Sequence, residues 1–376
     1  MNVLFISELA NLGGGETSLL NLMTEFNNKE YGVNPILMCF SEGKLVEESK
    51  KNGIETIIIN LRDCFKEKNI KEIIRIVSKM NRLLRDNNIK VIQTNEWKTA
   101  ILVSAICKLF FIKCKVIWIC HGQWYAFNKI KSSMINIFID KIISVSKIVK
   151  ENLKDNGIDE NIIVQIPLGI DINKFNNSQV GKIREEFKLQ KDEVVFGIIG
   201  RFQEIKGQQL IVDCAKILKE KNIKCKFMMV GDSIFGSSKD DEYKEKILND
   251  IKEYSLEEYF IFAGVRRDIG NILKDINALV IPSINESFGM TVIEAFAVGC
   301  VVISTPCDGP SEIIKQNYNG YLLKKRNVNE LLKYINFIIE DKINIFEVTE
   351  NQQNEVYKYS IENICKRYVE VFKNEK

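Results

Sequence analysis

The sequence predicts an α/β protein of two doubly wound domains in series. Three observations lead there. Short apolar runs that read as strands alternate with longer helical patterns throughout the chain. The alternation breaks once, in a polar and irregular stretch near the middle. The 376 residues are long for one domain and comfortable for two.

The first series opens with MNVLFIS, a short apolar strand, followed by GETSLLNLMTEFNN, which has helical spacing. NPILMCFS, ETIIIN, KVIQTN, KVIWICH and KIISVS read as further strands, with helical patterns between them such as residues 69–88. Residues 163–193 are polar and charge-mixed, and read as an interdomain connection. A second series follows. EVVFGIIG, CKFMMVGD, YFIFAG, ALVIPS and CVVIST are its strands, and QQLIVDCAKILKEKN is a helix. The expected division is a first domain over 1–166, a linker over 167–192 and a second domain over 193–354. In such folds ligands bind at the carboxyl ends of the strands, and the cleft between two facing domains is the expected site.

Apolar residues make up 45% of the chain and charged residues 27%, the balance of an ordinary soluble globular protein. Ten cysteines occur without a CxxC pair or a histidine at metal-ligand spacing, which points to reduced, mostly buried thiols in a cytosolic protein. The start, MNVLFISELANLGGG, lacks a basic leader, and Glu8 breaks its apolar run, so no signal peptide is read there. The window 100–120 is long enough to span a bilayer. Lys108, Lys113 and Lys115 interrupt it, so it reads as a helix followed by a strand. Residues 51–150 hold 19 Lys/Arg against 7 Asp/Glu, a net +12 against +3 for the whole chain, which leaves −9 elsewhere. That asymmetry suggests an anionic partner, such as a membrane surface, or else a solvated basic helix face.

Several loops carry site chemistry. NLGGGET (11–17) follows the first strand and opens the first helix. Its glycines let a ligand approach the backbone, and free N–H groups at the helix start suit phosphate. Alone it could equally be a tight strand-to-helix turn. In IIGRFQEIKGQ (198–208), Arg201 and Lys206 follow Gly200 at a strand end, where a planar fork and a point charge can clamp a diphosphate. His121, the only histidine, also ends a strand and precedes a glycine. In IPSINESFGMTVIEAFAVGC (281–300), Glu286 lies on the loop after a strand, and Glu294 lies inside an apolar helix that starts near Gly289. A carboxylate buried there without partners would cost several kcal/mol. Carboxylates accept hydrogen bonds in pairs and suit vicinal hydroxyls, while the N–H groups of Gly289, Met290 and Thr291 suit phosphate. The alternative is that Glu294 bonds a neighbouring loop backbone.

Taken together, these residues resemble the retaining glycosyltransferases of family 4, the group 1 glycosyltransferases, which have the GT-B fold of two Rossmann-like domains. ESFGMTVIE matches the family's Glu–seven residues–Glu motif, and GRFQEIKG its Gly-Arg…Lys-Gly loop. NLGGGET looks like its N-terminal glycine loop, and His121-Gly122 matches its histidine at the sugar site. IPLGIDINKF is similar to its hinge segment, although Leu168 stands where an Asn is usual, and GPSEII and NGYLL fit its C-terminal domain.

The resemblance implies roles. The first domain would be the acceptor side and the second would bind the nucleotide sugar. Glu286 would bond the sugar hydroxyls and Glu294 the ribose. Arg201 and Lys206 would neutralise the diphosphate with Gly14 and Gly15. Glu16, Phe288, Gly289, Met290 and Thr291 would line the donor, Gly264 and Val265 would lie near the base, and His121 would lie beside the reacting carbon. The last helix, 355–376, would cross back to the first domain. The acceptor hydroxyl would attack from the face the diphosphate leaves, retaining the anomeric configuration. No Asp-x-Asp occurs, so no metal is expected, and the nucleotide-diphosphate sugar is a co-substrate rather than a cofactor. Expected partners are that donor, a sugar or lipid-linked glycan acceptor and an anionic membrane surface reached through residues 51–150. The amphipathic helix with Lys71, Arg75, Lys79, Arg82 and Arg85 is the expected membrane contact. No nucleic acid is expected. The place expected is the cytoplasm, peripheral on the inner membrane face, in bacterial surface polysaccharide or glycoconjugate synthesis. Competing readings are a sugar-nucleotide epimerase or hydrolase on the same fold, and a non-catalytic sugar-binding module.

Overall fold

Runs rich in Val, Ile, Phe and Leu with no polar alternation fit strands covered on both faces, the condition of a parallel sheet. The computed structural model describes residues 1–28, 30–61, 70–233 and 237–374, and builds two such sheets, one in each of two units. The first unit comprises Met1–Asp171 with Tyr359–Lys376, the second Ile172–Lys358.

The first unit holds β1 (Asn2–Ser7), β2 (Asn34–Cys39), β3 (Glu55–Ile58), β4 (Ile89–Thr94), β5 (Lys115–Cys120), β6 (Lys141–Ser144) and β7 (Ile163–Gln165). All pair in parallel in the order β3-β2-β1-β4-β5-β6-β7, with registers such as Phe5 beside Leu37. Val3, Leu4, Phe5, Ile117 and Trp118 are fully buried. The order reverses between β1 and β4, so their carboxyl ends form this unit's topological switch point. Helix Gly14–Asn28 packs against the C-terminal helix Ile361–Lys373. Phe372 meets Phe5 and Phe26 at ring-centroid distances of 6.4 and 5.9 Å, and Lys115 Nζ donates to the Val371 carbonyl at 2.6 Å. Helices Ile70–Asp86, Trp97–Leu109 and Lys129–Phe138 pack side by side as a second layer.

The second unit holds β8 (Val195–Ile199), β9 (Lys226–Val230), β10 (Phe260–Gly264), β11 (Ala278–Ile281), β12 (Val301–Ser304) and β13 (Tyr321–Leu322), ordered β10-β9-β8-β11-β12-β13 and all parallel. Its switch point lies between β8 and β11. Phe196, Phe227, Val280 and Ile303 centre its core.

Three expectations are refined. The division falls between Asp171 and Ile172, inside the stretch 167–192 expected as the linker, and residues 172–192 group with the second unit. Short helices Ile172–Asn176 and Lys182–Glu186 form within them. The buried Asp275 carboxylate accepts from the backbone N–H groups of Gly181, Ile183 and Arg184 at 2.5, 2.7 and 3.3 Å, and Arg184 Nε donates to the Asp275 carbonyl at 3.0 Å. The stretch is polar because it caps on a side chain some ninety positions away. The strand β7 lies inside the stretch read as irregular, and β13 is also present; at three and two residues they are too short to show a pattern. The helix read over 69–88 runs Ile70–Asp86; residue 69 is outside the described residues, as is Cys64.

Asp275→Ala is expected to cost on the order of 3 kcal/mol, because three donors lose one buried acceptor. A urea denaturation curve checks this, and a midpoint unchanged from the parent would contradict it.

Residues 100–120 divide into the end of helix Trp97–Leu109 and the strand β5. Among the described residues no helix is long and apolar enough to cross a membrane. The nine described cysteines are all free, and all but Cys114 are buried.

Candidate functional site

In the second unit the loops after β8 and β11 leave the sheet at the switch point, and backbone contacts lock them together. Gly200 N–H extends the ladder to the Val230 carbonyl at 2.9 Å, and Gly231 (φ +134°) passes so close that a Cβ would lie 2.1 Å from the Gly200 oxygen. Arg201 follows, exposed, its guanidinium without a hydrogen bond or ion pair among the described residues. A 3-10 turn, Glu204–Lys206, ends at Gly207 in the left-handed region, φ +72°. A Cβ there would lie 2.1 Å from the Pro282 carbonyl oxygen and 2.6 Å from Arg326 Nη2, so only glycine fits. Ile284 N–H donates to the Ile205 carbonyl at 2.8 Å, joining the two loops. The Thr305 hydroxyl donates to the Ser283 carbonyl at 2.5 Å, and Gly309 N–H to the Glu286 carbonyl at 2.8 Å.

This bracing brings Lys206 Nζ to 2.5 Å from Glu286 Oε2, both side chains about one-quarter exposed. The residues expected to bind a diphosphate and a sugar are thus paired with each other. Gly289 (φ +100°) then opens helix Met290–Val298, whose first turn has no side-chain cap, although Val292 N–H donates to the Gly289 carbonyl at 3.0 Å. Met290 and Thr291 are half-buried in that turn. Phe288 is buried, and its backbone sits where a Cβ on Gly309 would come within 2.4 Å. It anchors the loop by packing.

Glu294 keeps partial solvent access, yet the apolar groups around it desolvate the carboxyl and push it up to about 7, with Lys174 opposing. No hydrogen bond or ion pair reaches it among the described residues. The loop-backbone bond considered above is therefore absent among the described residues. At the end of β10, Gly264 takes φ +64° and its carbonyl accepts from Gly231 N–H at 2.8 Å, while Val265 is 75% exposed. Arg326 was not singled out in the sequence. Its Nε donates to the Pro282 carbonyl at 3.0 Å, beside Gly207, a contact no local pattern announces.

In the first unit Gly13 N–H donates to Glu16 Oε2 at 3.1 Å. The glutamate expected to line a donor thus reaches back to the helix entrance in the manner of a capping box. Gly14 faces open space, and a Cβ on Gly15 would lie 3.6 Å from His121 Nε2. His121 follows β5, and burial lowers it to about 4, so its ring is neutral at pH 7. Nε2 has no partner. The glycine loop and the histidine therefore meet.

The family model described as "Glycosyl transferases group 1" matches residues 179–360, and the one described as "Glycosyltransferase Family 4" matches residues 12–174. The chain belongs to the group 1 glycosyltransferases. Among curated relatives, this glycosyltransferase is 25% identical over 333 residues to the UDP-Gal:alpha-D-GlcNAc-diphosphoundecaprenol alpha-1,3-galactosyltransferase of Escherichia coli, covering 84% of this chain and 82% of that one. It is 24% identical over 268 residues to the N,N'-diacetylbacillosaminyl-diphospho-undecaprenol alpha-1,3-N-acetylgalactosaminyltransferase of Campylobacter jejuni, covering 67% and 68%. A glycosyltransferase from Rickettsia africae superposes with TM-score 0.86 at 23% identity over 99% of this chain and 97% of that one. HepE of Anabaena, in complex with UDP and glucose, gives TM-score 0.85 at 20% identity over the whole of both chains. These likenesses place the glycosyltransferase in the GT-B fold.

Proposed function

We propose that this glycosyltransferase moves a sugar from a nucleoside-diphosphate sugar to an acceptor hydroxyl with retention of configuration, in bacterial surface-glycan synthesis. The observation that carries the reading is the Lys206–Glu286 pair at the β8/β11 switch point, on loops that also present Arg201 and an uncapped helix start.

On donor binding the pair is recruited. Sugar hydroxyls donate to Glu286, and diphosphate oxygens accept from Lys206 and Arg201. Ribose hydroxyls donate to Glu294, which supplies the partners that carboxylate lacks. As the anomeric C–O bond breaks, its electron pair passes to the diphosphate, and Arg201, Lys206 and the Met290 helix start stabilise that charge. The acceptor oxygen attacks from the departing face, and its proton passes to the leaving phosphate. His121 is proposed to meet the sugar as a neutral imidazole. Gly264 and Val265 are proposed to lie against the base.

Among the described residues no group of three His, Cys, Asp or Glu could hold a metal ion, and two cations with a helix start are proposed to serve instead. The named relatives' diphosphoundecaprenol-linked substrates support a lipid-linked acceptor.

The test is product formation from UDP-, GDP- and ADP-sugars, with and without acceptor alcohols, in the presence of a chelator. Transfer with the donor's anomeric configuration in the product, read by NMR coupling constants, is the expected result. Free sugar alone, whatever the acceptor, would favour a hydrolase.

A further inference from the structure

The second helix layer of the first unit is built inside out in one place. Helix Lys129–Phe138 turns Ile130 (71% exposed), Met134 (39%) and Ile137 (66%) to solvent. These positions are spaced i, i+4, i+7 and share one face. The opposite face is buried through Ser132 and Ile135, and the Ser132 hydroxyl finds acceptors there in the Asn156 and Asn128 carbonyls, at 2.5 and 3.1 Å. A soluble helix would normally reverse that distribution.

The neighbouring helix ends in the same way. After Trp97–Leu109 the chain passes through Phe111 in the left-handed region, φ +53°, where helices usually place glycine, with the side chain 92% exposed. Leu109 beside it is 65% exposed. Lys108 Nζ donates to the Ile137 carbonyl at 2.9 Å and lies 4.3 Å from the Phe138 ring centre, so this tip and the Ile137 end of the stripe adjoin. Arg85 Nη2 donates to the Phe110 carbonyl at 2.7 Å and brings in the end of helix Ile70–Asp86. On that helix Lys71, Arg75, Lys79, Arg82 and Arg85 are all exposed. Lys113, Lys129 and Lys131 are exposed around the apolar residues, and neither Trp97–Leu109 nor Lys129–Phe138 contains an Asp or Glu.

We propose that this layer docks on an anionic lipid bilayer. Ile130, Met134, Ile137, Leu109 and Phe111 enter the headgroup boundary, and the surrounding cations meet acidic headgroups. Charge complementarity selects this occupant. The layer lies within the +12 segment, so a second copy set face to face would repel it. The contact differs from a purely electrostatic one through helix Ile70–Asp86, because the apolar stripe gives it a component that salt does not screen. It is independent of the donor chemistry, so a failure here leaves the proposed transfer standing.

The test floats the full chain with phosphatidylcholine vesicles containing 0 or 30% phosphatidylglycerol, in low and high salt, beside the variant I130S/M134S/I137S. The three substituted side chains are solvent-facing, and a thermal melt matching the parent shows the variant folded. The parent is expected to bind the anionic vesicles, with part of the binding surviving high salt. The variant is expected to partition about tenfold or more weakly and to lose the salt-resistant part. Its transfer to a water-soluble acceptor stays unchanged. Absence of parental binding at low salt, or a variant that floats as well as the parent, would overturn the proposal. So would a dimer in sedimentation that the variant dissociates while neither form binds vesicles.

Discussion

Lys206→Ala and Glu286→Ala are each expected to lower kcat by about two to three orders of magnitude while leaving the protein folded. Lys206 is expected to act on charge that develops only as the diphosphate leaves, so its loss falls on kcat more than on KM. Glu286 is proposed to position the sugar through hydroxyl bonds, so its loss is expected in both. The pair is about one-quarter exposed, and its 2.5 Å contact contributes little to stability, so melting temperatures move by only a few degrees. Because each residue holds the other before the donor arrives, the double variant falls short of the product of the two single losses. Steady-state kinetics on the four proteins, with a melt of each, check this. Parental turnover in either single variant would undo the assignment.

The second large effect concerns Glu294. Its carboxyl is pushed up to about 7 by desolvation in the folded chain, above the ordinary unfolded value near 4.3. The native state therefore holds a proton the unfolded state releases. This favours folding below the unfolded value, and the advantage is lost as pH rises through about 7. Unliganded protein should lose on the order of 2–3 kcal/mol between pH 4.5 and 7.5 from this group. Glu294→Gln should remove that slope and melt higher than the parent at pH 8. The same substitution should weaken nucleotide-sugar binding by about tenfold or more at pH 8, since an amide offers one acceptor oxygen to two hydroxyls. Melts and titrations across pH are the check. A variant with the parental pH slope and parental affinity would contradict the role.

The strand ends that carry candidate residues were legible because β5, β8 and β11 are apolar runs that give way to loop residues. Gly200, His121 and the Glu286 loop could be assigned to strand ends from that alone. The Lys206–Glu286 contact was not legible. It spans 80 residues and follows from the strand order, which brings β8 beside β11. A glutamate three residues after a loop glycine fits both a ligand and a helix cap, and the structure shows the cap contact to Gly13. Residues 172–192 looked like a linker because their polarity is satisfied by Asp275, a tertiary contact with no local period. The outward stripe at Ile130, Met134 and Ile137 has helical spacing that a core-facing helix shares, and only the fold shows which side it takes.

The most direct measurement is isothermal titration of UDP, GDP and ADP into the full chain, with a chelator present, beside the variant R201A/K206A. One nucleoside diphosphate should bind the parent without metal, and the variant should bind it about a hundredfold more weakly. Binding of none of the three, or equal binding by the variant, would contradict the proposal that these two loops hold a nucleoside diphosphate.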